Sequence, residues 1–431
     1  MSKIIWGAGC LVTLAASAGA ATNWYADQKL TGYYAQEALS KAAEDLDVKY
    51  SNIQLGMMQG SADWVMTFVP DPCKPKEAIV LQGQDQIQKK WNGYDIASRF
   101  TVQSGNEKIQ SVFKGEQQIQ THISWLGNVK ASVNLPRIDR QNDGAHLRLD
   151  PSTLYIYAAA PVQGEPKVSK IIFDMPALTV MQGQSQVLAQ NIQFETTQGL
   201  NKKEISEGYT RFSIGAFQRV DNTFSGKIKN FEMLMDTQIK DGSVAIDSSL
   251  KMGEMVIPST PLIKDAVIHL ALSNIKPQRL AELSAVWEKS NKSCESSELM
   301  QADVSQAFLN LLNEGMDFKS ENQLSMNAGT ASAKLEGKMM PSHQGSISAF
   351  AQMLPNLLSF KANLAFDKNI YRSVMNNYTQ AATGKMMTEQ AIEQTFSAME
   401  SGGQAKRDGD QLKMLLDYQF GQKQFLDPNQ N

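Results

Sequence analysis

The chain has 431 residues, 42% of them hydrophobic and 20% charged, an ordinary globular balance that excludes collagen-like, low-complexity and multi-span membrane classes. With 41 Lys and Arg against 44 Asp and Glu the net charge is −3, so the basic footprint of a general nucleic-acid binder is missing and no nucleic acid is expected as a partner. At roughly 100–200 residues per domain, the length predicts two or three domains or one large β-rich body.

Lys3 is the only charge ahead of an uncharged run from Ile4 to Ala21. Residues 1–22 therefore read as an export leader. Two versions fit. Ala18-Gly19-Ala20 offers an A-x-A cleavage site for a signal peptide. The run is also nearly long enough to cross a bilayer, with Lys3 on the cytoplasmic side and Trp24 and Tyr25 as interfacial aromatics, which makes a retained inner-membrane anchor. Either version places the rest of the chain outside the cytoplasm. Cysteine use agrees: Cys10 lies in the leader, leaving Cys73 and Cys294 as an even pair in a compartment that permits disulfides. A Cys73–Cys294 bridge is the expectation and two unpaired thiols the alternative.

From Asn23 to about Asp47 the spacing of Leu30, Tyr34, Ala38 and Ala42 predicts a helix leading away from the leader. A loop with Pro70, Pro72 and Pro75 around Cys73 follows, and after it the pattern changes to period two. Val129, Ala131, Val133 and Leu135 alternate with polar neighbours, as do Thr210, Phe212, Ile214 and Ala216, then Phe231, Met233 and Met235, and then Val244, Ile246, Ser248, Leu250 and Met252. One-sided alternation with no convincing helix from about residue 80 to 275 predicts antiparallel sheet with one covered face, not a parallel βαβ sheet.

Near Pro277 the period lengthens, with Leu280, Leu283, Val286 and Trp287 on one helical face. A second helix is predicted from about Ser297 through Leu312, with Gly315 as its stop. Alternation returns in Leu324, Met326 and Ala328, in Ala331, Ala333 and Leu335, and most clearly in Leu358, Phe360, Ala362, Leu364 and Phe366. Helices are predicted over about 369–382 and 388–400, and Leu412 to Phe420 forms a closing strand after the turn Asp408-Gly409-Asp410. The fold class is α+β, predominantly antiparallel sheet. Its divisions are the leader 1–22, an N-terminal helix plus β region over 23–275, and an α+β region over 276–431 with helices at about 277–315 and 369–400. No fixed-period repeat occurs, so neither solenoid nor propeller is supported.

The search for chemistry names no catalytic, cofactor-binding or metal-ligating residue. The four histidines, His122, His146, His269 and His343, form no HExxH, and no C-x-x-C, P-loop, GxGxxG after a strand or GxSxG elbow is present. Ser248-Ser249-Leu250-Lys251 spells SxxK without its partner motifs and on a predicted strand. No cofactor is expected. The chain carries 21 methionines, which serve as core filler or line an adaptable apolar surface; they do not interleave with histidine as a Cu(I) site would prefer.

The leader, Trp24-Tyr25, the post-leader helix, the antiparallel runs, the segment LALSNIKPQRLAEL at 270–283 and DGDQLKMLLDYQFGQ at 408–422 together resemble one family. It is the bacterial domain-of-unknown-function 945 family, the YdgA-like periplasmic proteins. The resemblance spans nearly the whole chain and implies an envelope location with most of the mass in the periplasm. It supplies no catalytic residue to carry over. The reading is a non-enzymatic envelope protein whose apolar sheet face binds a lipid or an envelope client. The alternative is a scaffold acting through protein contacts, as a homodimer in one form. An enzyme with a motif-free site is the least favoured reading.

Overall fold

The computed structural model describes residues 46–426 except 57, 70–72, 74–76, 105–112, 114, 125–127, 143, 160–166, 198–204, 206, 222–224, 259–260, 293–296 and 384–385. The expected leader, the expected first helix up to residue 45 of its span from Asn23 to about Asp47, and the tail from Asp427 lie outside the described residues. Two compact units emerge. The first comprises Met1–Leu178, Ile192–Thr210 and Lys289–Glu295, and the second Thr179–Asn191, Arg211–Glu288 and Ser296–Asn431.

The chain begins with strands β1 (Leu46–Leu55), β2 (Gln59–Phe68), β3 (Ile79–Lys90), β4 (Gly93–Ser104), β5 (Gln117–Ser124) and β6 (Asn128–Leu135), each antiparallel to the next. A small hairpin, β7 (Ile138–Asn142) and β8 (Ala145–Leu149), intervenes before β9 (Ser152–Ala159), which pairs with β6. In β4 alternate residues from Tyr94 to Val102 are buried, the period-two signature of a sheet with one covered face. The core of the first unit is the sum of such faces: Trp64, Met66, Ile96, Phe100, Ile119, Val133, Leu154 and Ile156 are all at most 5% exposed. Asp85 is fully buried among them, and Trp64 Nε1 donates to its Oδ1 at 2.8 Å, the kind of partner a buried carboxylate requires.

Strands β10 (Lys167–Gln182), β11 (Ser185–Thr196) and β12 (Gly208–Val220) follow. The second unit is built on β13 (Ser225–Lys240), β14 (Ser243–Met252), the short β15 (Glu254–Val256), β16 (Ile263–Ile275), β17 (Met316–Met326), β18 (Gly329–Met339), β19 (Leu358–Asp367), β20 (Lys406–Asp408), β21 (Gln411–Gln419) and β22 (Gln422–Leu426). The lateral order of its long strands is β13–β14–β16–β17–β18–β19–β21–β22, antiparallel throughout. Five helices interrupt the strands: α1 (Pro277–Lys292), α2 (Ser297–Asn313), α3 (Ile347–Leu357), α4 (Lys368–Thr383) and α5 (Glu389–Ser401). Pro277 occupies the first helical position of α1, where its missing N–H costs nothing. Gly315 follows α2 at φ +74, and its N–H donates to Leu312 O at 3.0 Å. That is the left-handed stop the sequence predicts.

The fold is thus α+β with mostly antiparallel sheet, and the predicted helices at 277–315 and 369–400 are present as α1, α2, α4 and α5. Three differences stand out. The sequence reading begins the strands after the loop at 70–75, whereas β1 and β2 precede it, and β1 starts at Leu46, inside the expected first helix. Its alternation is broken by a bulge between Ser51 and Gln54, where Asn52 sits at φ +50. Helix α3 is absent from the sequence reading although Ile347, Phe350, Leu354 and Leu357 recur at helical spacing; Pro355 in its last turn reads as a break. Its start is marked instead by the N-cap Ser346, whose Oγ accepts from Ala349 N at 3.2 Å. The closing strand β21 is followed by one more, β22.

Candidate functional site

In an antiparallel sheet, residues directly opposite each other point to the same face. In the second unit, one row across seven strands reads Met233, Leu250, Ile268, Asn322, Ala333, Leu364, Met414. The next row reads Met235, Ser248, Leu270, Ser320, Leu335, Ala362, Leu416, and the one after it Thr237, Ile246, Leu272, Phe318, Gly337, Phe360, Tyr418. None of these residues carries a charge. The opposite face is built on the other parity, and its rows include Ser249, His269, Glu321, Lys334 and, one step along, Lys319, Glu336, Lys361, Asp417. Opposite charges alternate there. Lys319 Nζ lies 2.9 Å from Glu321 Oε1, a pairing that holds the Glu321 carboxyl below its usual range.

The charge-free face is covered at two places. Ile392 and Phe396 of α5 pack with Leu412, Phe366 and Tyr371, and Phe396 meets Tyr371 edge-on at 5.3 Å. At the other ends of the strands Leu309 of α2 and Phe350 of α3 pack with Met339 and Leu358. Phe360 and Tyr418 stack at 4.9 Å, and the Tyr418 hydroxyl donates to Pro355 O at 3.1 Å. Away from these covers, on β13 and β16, the face stays open: Met233 is 45% exposed, Met235 38%, Ile268 53% and Leu270 41%. Of the residues that the sequence marks most clearly, Leu358, Phe360, Leu364 and Phe366 are all half-buried.

The remaining candidates are placed as follows. Three of the four histidines each meet an aspartate at close range: His122 Nδ1 with Asp95 Oδ1 at 2.7 Å, His146 Nε2 with Asp139 Oδ1 at 2.6 Å and His269 Nε2 with Asp247 Oδ1 at 2.8 Å. The sequence did not join these pairs because strand register, not spacing along the chain, brings them together. Among the described residues no group of three or more His, Cys, Asp or Glu is positioned to hold a metal ion. The SxxK tetrad lies within β14, where Ser248 and Lys251 point to opposite faces and cannot act together. Cys73 is disulfide-bonded; Cys10 and Cys294 lie outside the described residues. No helix among the described residues is long and apolar enough to cross a membrane.

One family model, described as a bacterial protein of unknown function, DUF945, matches residues 1–425. The chain belongs to the DUF945 family. No curated protein and no solved structure matches it. The geometry of this DUF945 chain leaves one feature unexplained, the open, charge-free sheet face.

Proposed function

We propose that this DUF945 protein is a non-enzymatic protein of the bacterial cell envelope that receives acyl chains of lipid on the charge-free face of its second unit. The observation that carries the reading is the exposure of Met233, Met235, Ile268 and Leu270 on a face whose central three rows hold no charge across seven strands. Large exposed apolar residues that adjoin one another mark contact surfaces, whereas single ones do not. Seven strands at about 4.8 Å spacing give the face a width of about 29 Å. A bilayer's hydrocarbon core is about 30 Å thick, so one lipid chain extends over about 15 Å and fits within it. Methionines at two of the four exposed positions suit chains of varied shape, being unbranched and polarizable. The export leader supports the compartment, since it directs the chain to where lipids are the abundant apolar molecules.

Native mass spectrometry of the full chain, purified from bacterial envelopes in mild detergent, tests this. Lipid-sized adducts are expected on the wild type. They should fall about tenfold or more in Ile268→Glu, because placing a carboxylate in an apolar contact costs well above the 1.4 kcal/mol that a tenfold change represents. A wild type that carries no adduct sinks the reading.

A further inference from the structure

The polar face of the first unit has a pattern of its own. Gln82, Gln84, Gln86 and Gln88 alternate along β3 and share one side of the sheet. Register extends that side into two rows. One reads Ser61, Gln86, Ala97, Gln120, Ser132, Tyr155, and the other Gln59, Gln88, Asp95, His122, Lys130, Tyr157. A depression of about 690 Å³ lies along them, its lining including Gln86, Gln88, Ala97, Gln120, His122 and Ser132. Ala97 forms its floor because a methyl group stands between two glutamines. The charges within the rows are occupied locally: Asp95 is bound by His122, and the Lys130 ammonium sits over the Tyr155 and Tyr157 rings at 5.8 and 5.7 Å. What the track offers a ligand is amides and hydroxyls without net charge, ending at two half-exposed aromatic rings.

We propose that this track binds a neutral glycan strand that carries hydroxyl and amide groups. Side-chain amides both donate and accept, so they match the hydroxyl and amide groups of such a ligand. An extended peptide is less suited. Peptides join sheets through main-chain bonds at an edge, and in this track the strand backbones are already paired on both sides. Five strand spacings of about 4.8 Å make the track about 24 Å long, enough for several sugar rings. The proposal concerns a different unit and a different face from the lipid reading and does not depend on it.

Isothermal titration of the full chain with chitohexaose, a neutral N-acetylated oligosaccharide, tests the proposal, with hexaglycine and heparin run alongside. Chitohexaose is expected to bind, and the double variant Gln86→Ala/Gln120→Ala to weaken it about tenfold through the loss of side-chain hydrogen bonds. Ala97→Trp should block binding while leaving the far-UV circular dichroism unchanged. Should Ala97→Trp unfold the protein, the double variant decides alone. Absence of chitohexaose binding at millimolar concentration, binding indifferent to the glutamines, or a preference for hexaglycine or heparin would each overturn it.

Discussion

At the scale of single residues, Gly337 shows how closely the second unit's sheet is packed. A Cβ added there would lie 2.3 Å from Ser359 O and 2.4 Å from Phe360 Cβ, closer than any real contact. The glycine lets the Phe360 side chain lie across its neighbour, with Tyr418 stacked on its far side. Gly337→Ala should therefore destabilise the protein by about 1–3 kcal/mol, the range for overpacking, although alanine is the better residue on backbone entropy alone. Urea unfolding checks this: a lower midpoint at unchanged slope is expected, and an unchanged midpoint would mean that β18 and β19 move apart without cost. The histidine–aspartate pairs teach a related lesson about what a sequence shows. His122 stands 27 positions from Asp95, and no spacing rule joins them. The alternation predicts that each lies on a strand, but it leaves open which strand lies beside it.

Among the elements, α4, α5 and β20 are tied by an ion-pair cluster. Lys368 Nζ lies 2.6 Å from Glu389 and 2.7 Å from Glu393, and Arg407 lies 2.5 Å from Glu393 and 3.2 Å from Glu400. Hydrogen bonds from Lys368 hold both the Glu389 and the Glu393 carboxyls below their usual range, with Arg407 assisting at Glu393. A glutamate lowered in the folded state contributes stability that is present above its unfolded value of about 4.3 and is lost as pH falls through the folded value. The protein should accordingly lose stability between about pH 5 and the acid limb below 4, and Glu393→Gln should flatten that loss. Unfolding midpoints from pH 6 to 3 in both proteins test the assignment, and parallel curves would refute it. The cluster lies at the surface, so added salt should shrink the difference. Elements were legible where the hydrophobic period was strong. The strand at 358–366 and helices α1 and α2 declare themselves, whereas α3 keeps the helical period but carries Pro355 in its last turn, which reads as a break. The charge-free face was legible in part, since the alternation lists its residues. Which stretch of it stays open was not, because that depends on where α3 and α5 come to rest.

For the whole molecule, the decisive covalent feature is the disulfide at Cys73. The chain has three cysteines, and Cys10 falls in the uncharged run expected to be a leader, so Cys294 is the expected partner. Such a bridge closes a loop of about half the chain. In the chain-entropy account a loop of about 100 residues already stabilises by about 4.7 kcal/mol, with observed values usually about 2–4. Cys73→Ser/Cys294→Ser should therefore lower stability by about 2–4 kcal/mol relative to the oxidised protein, and reducing agent should bring the wild type to the same level. Non-reducing peptide mapping would show one cross-linked species joining the peptides of Cys73 and Cys294. The comparison also bears on location. Protein exported through its own leader should arrive oxidised, while a chain lacking residues 1–22 and kept in the reducing cytoplasm should carry free thiols. If the leaderless chain proved equally oxidised and stable, the bridge would carry no information about compartment. If the exported chain retained free thiols, the Cys73–Cys294 pairing itself would be wrong.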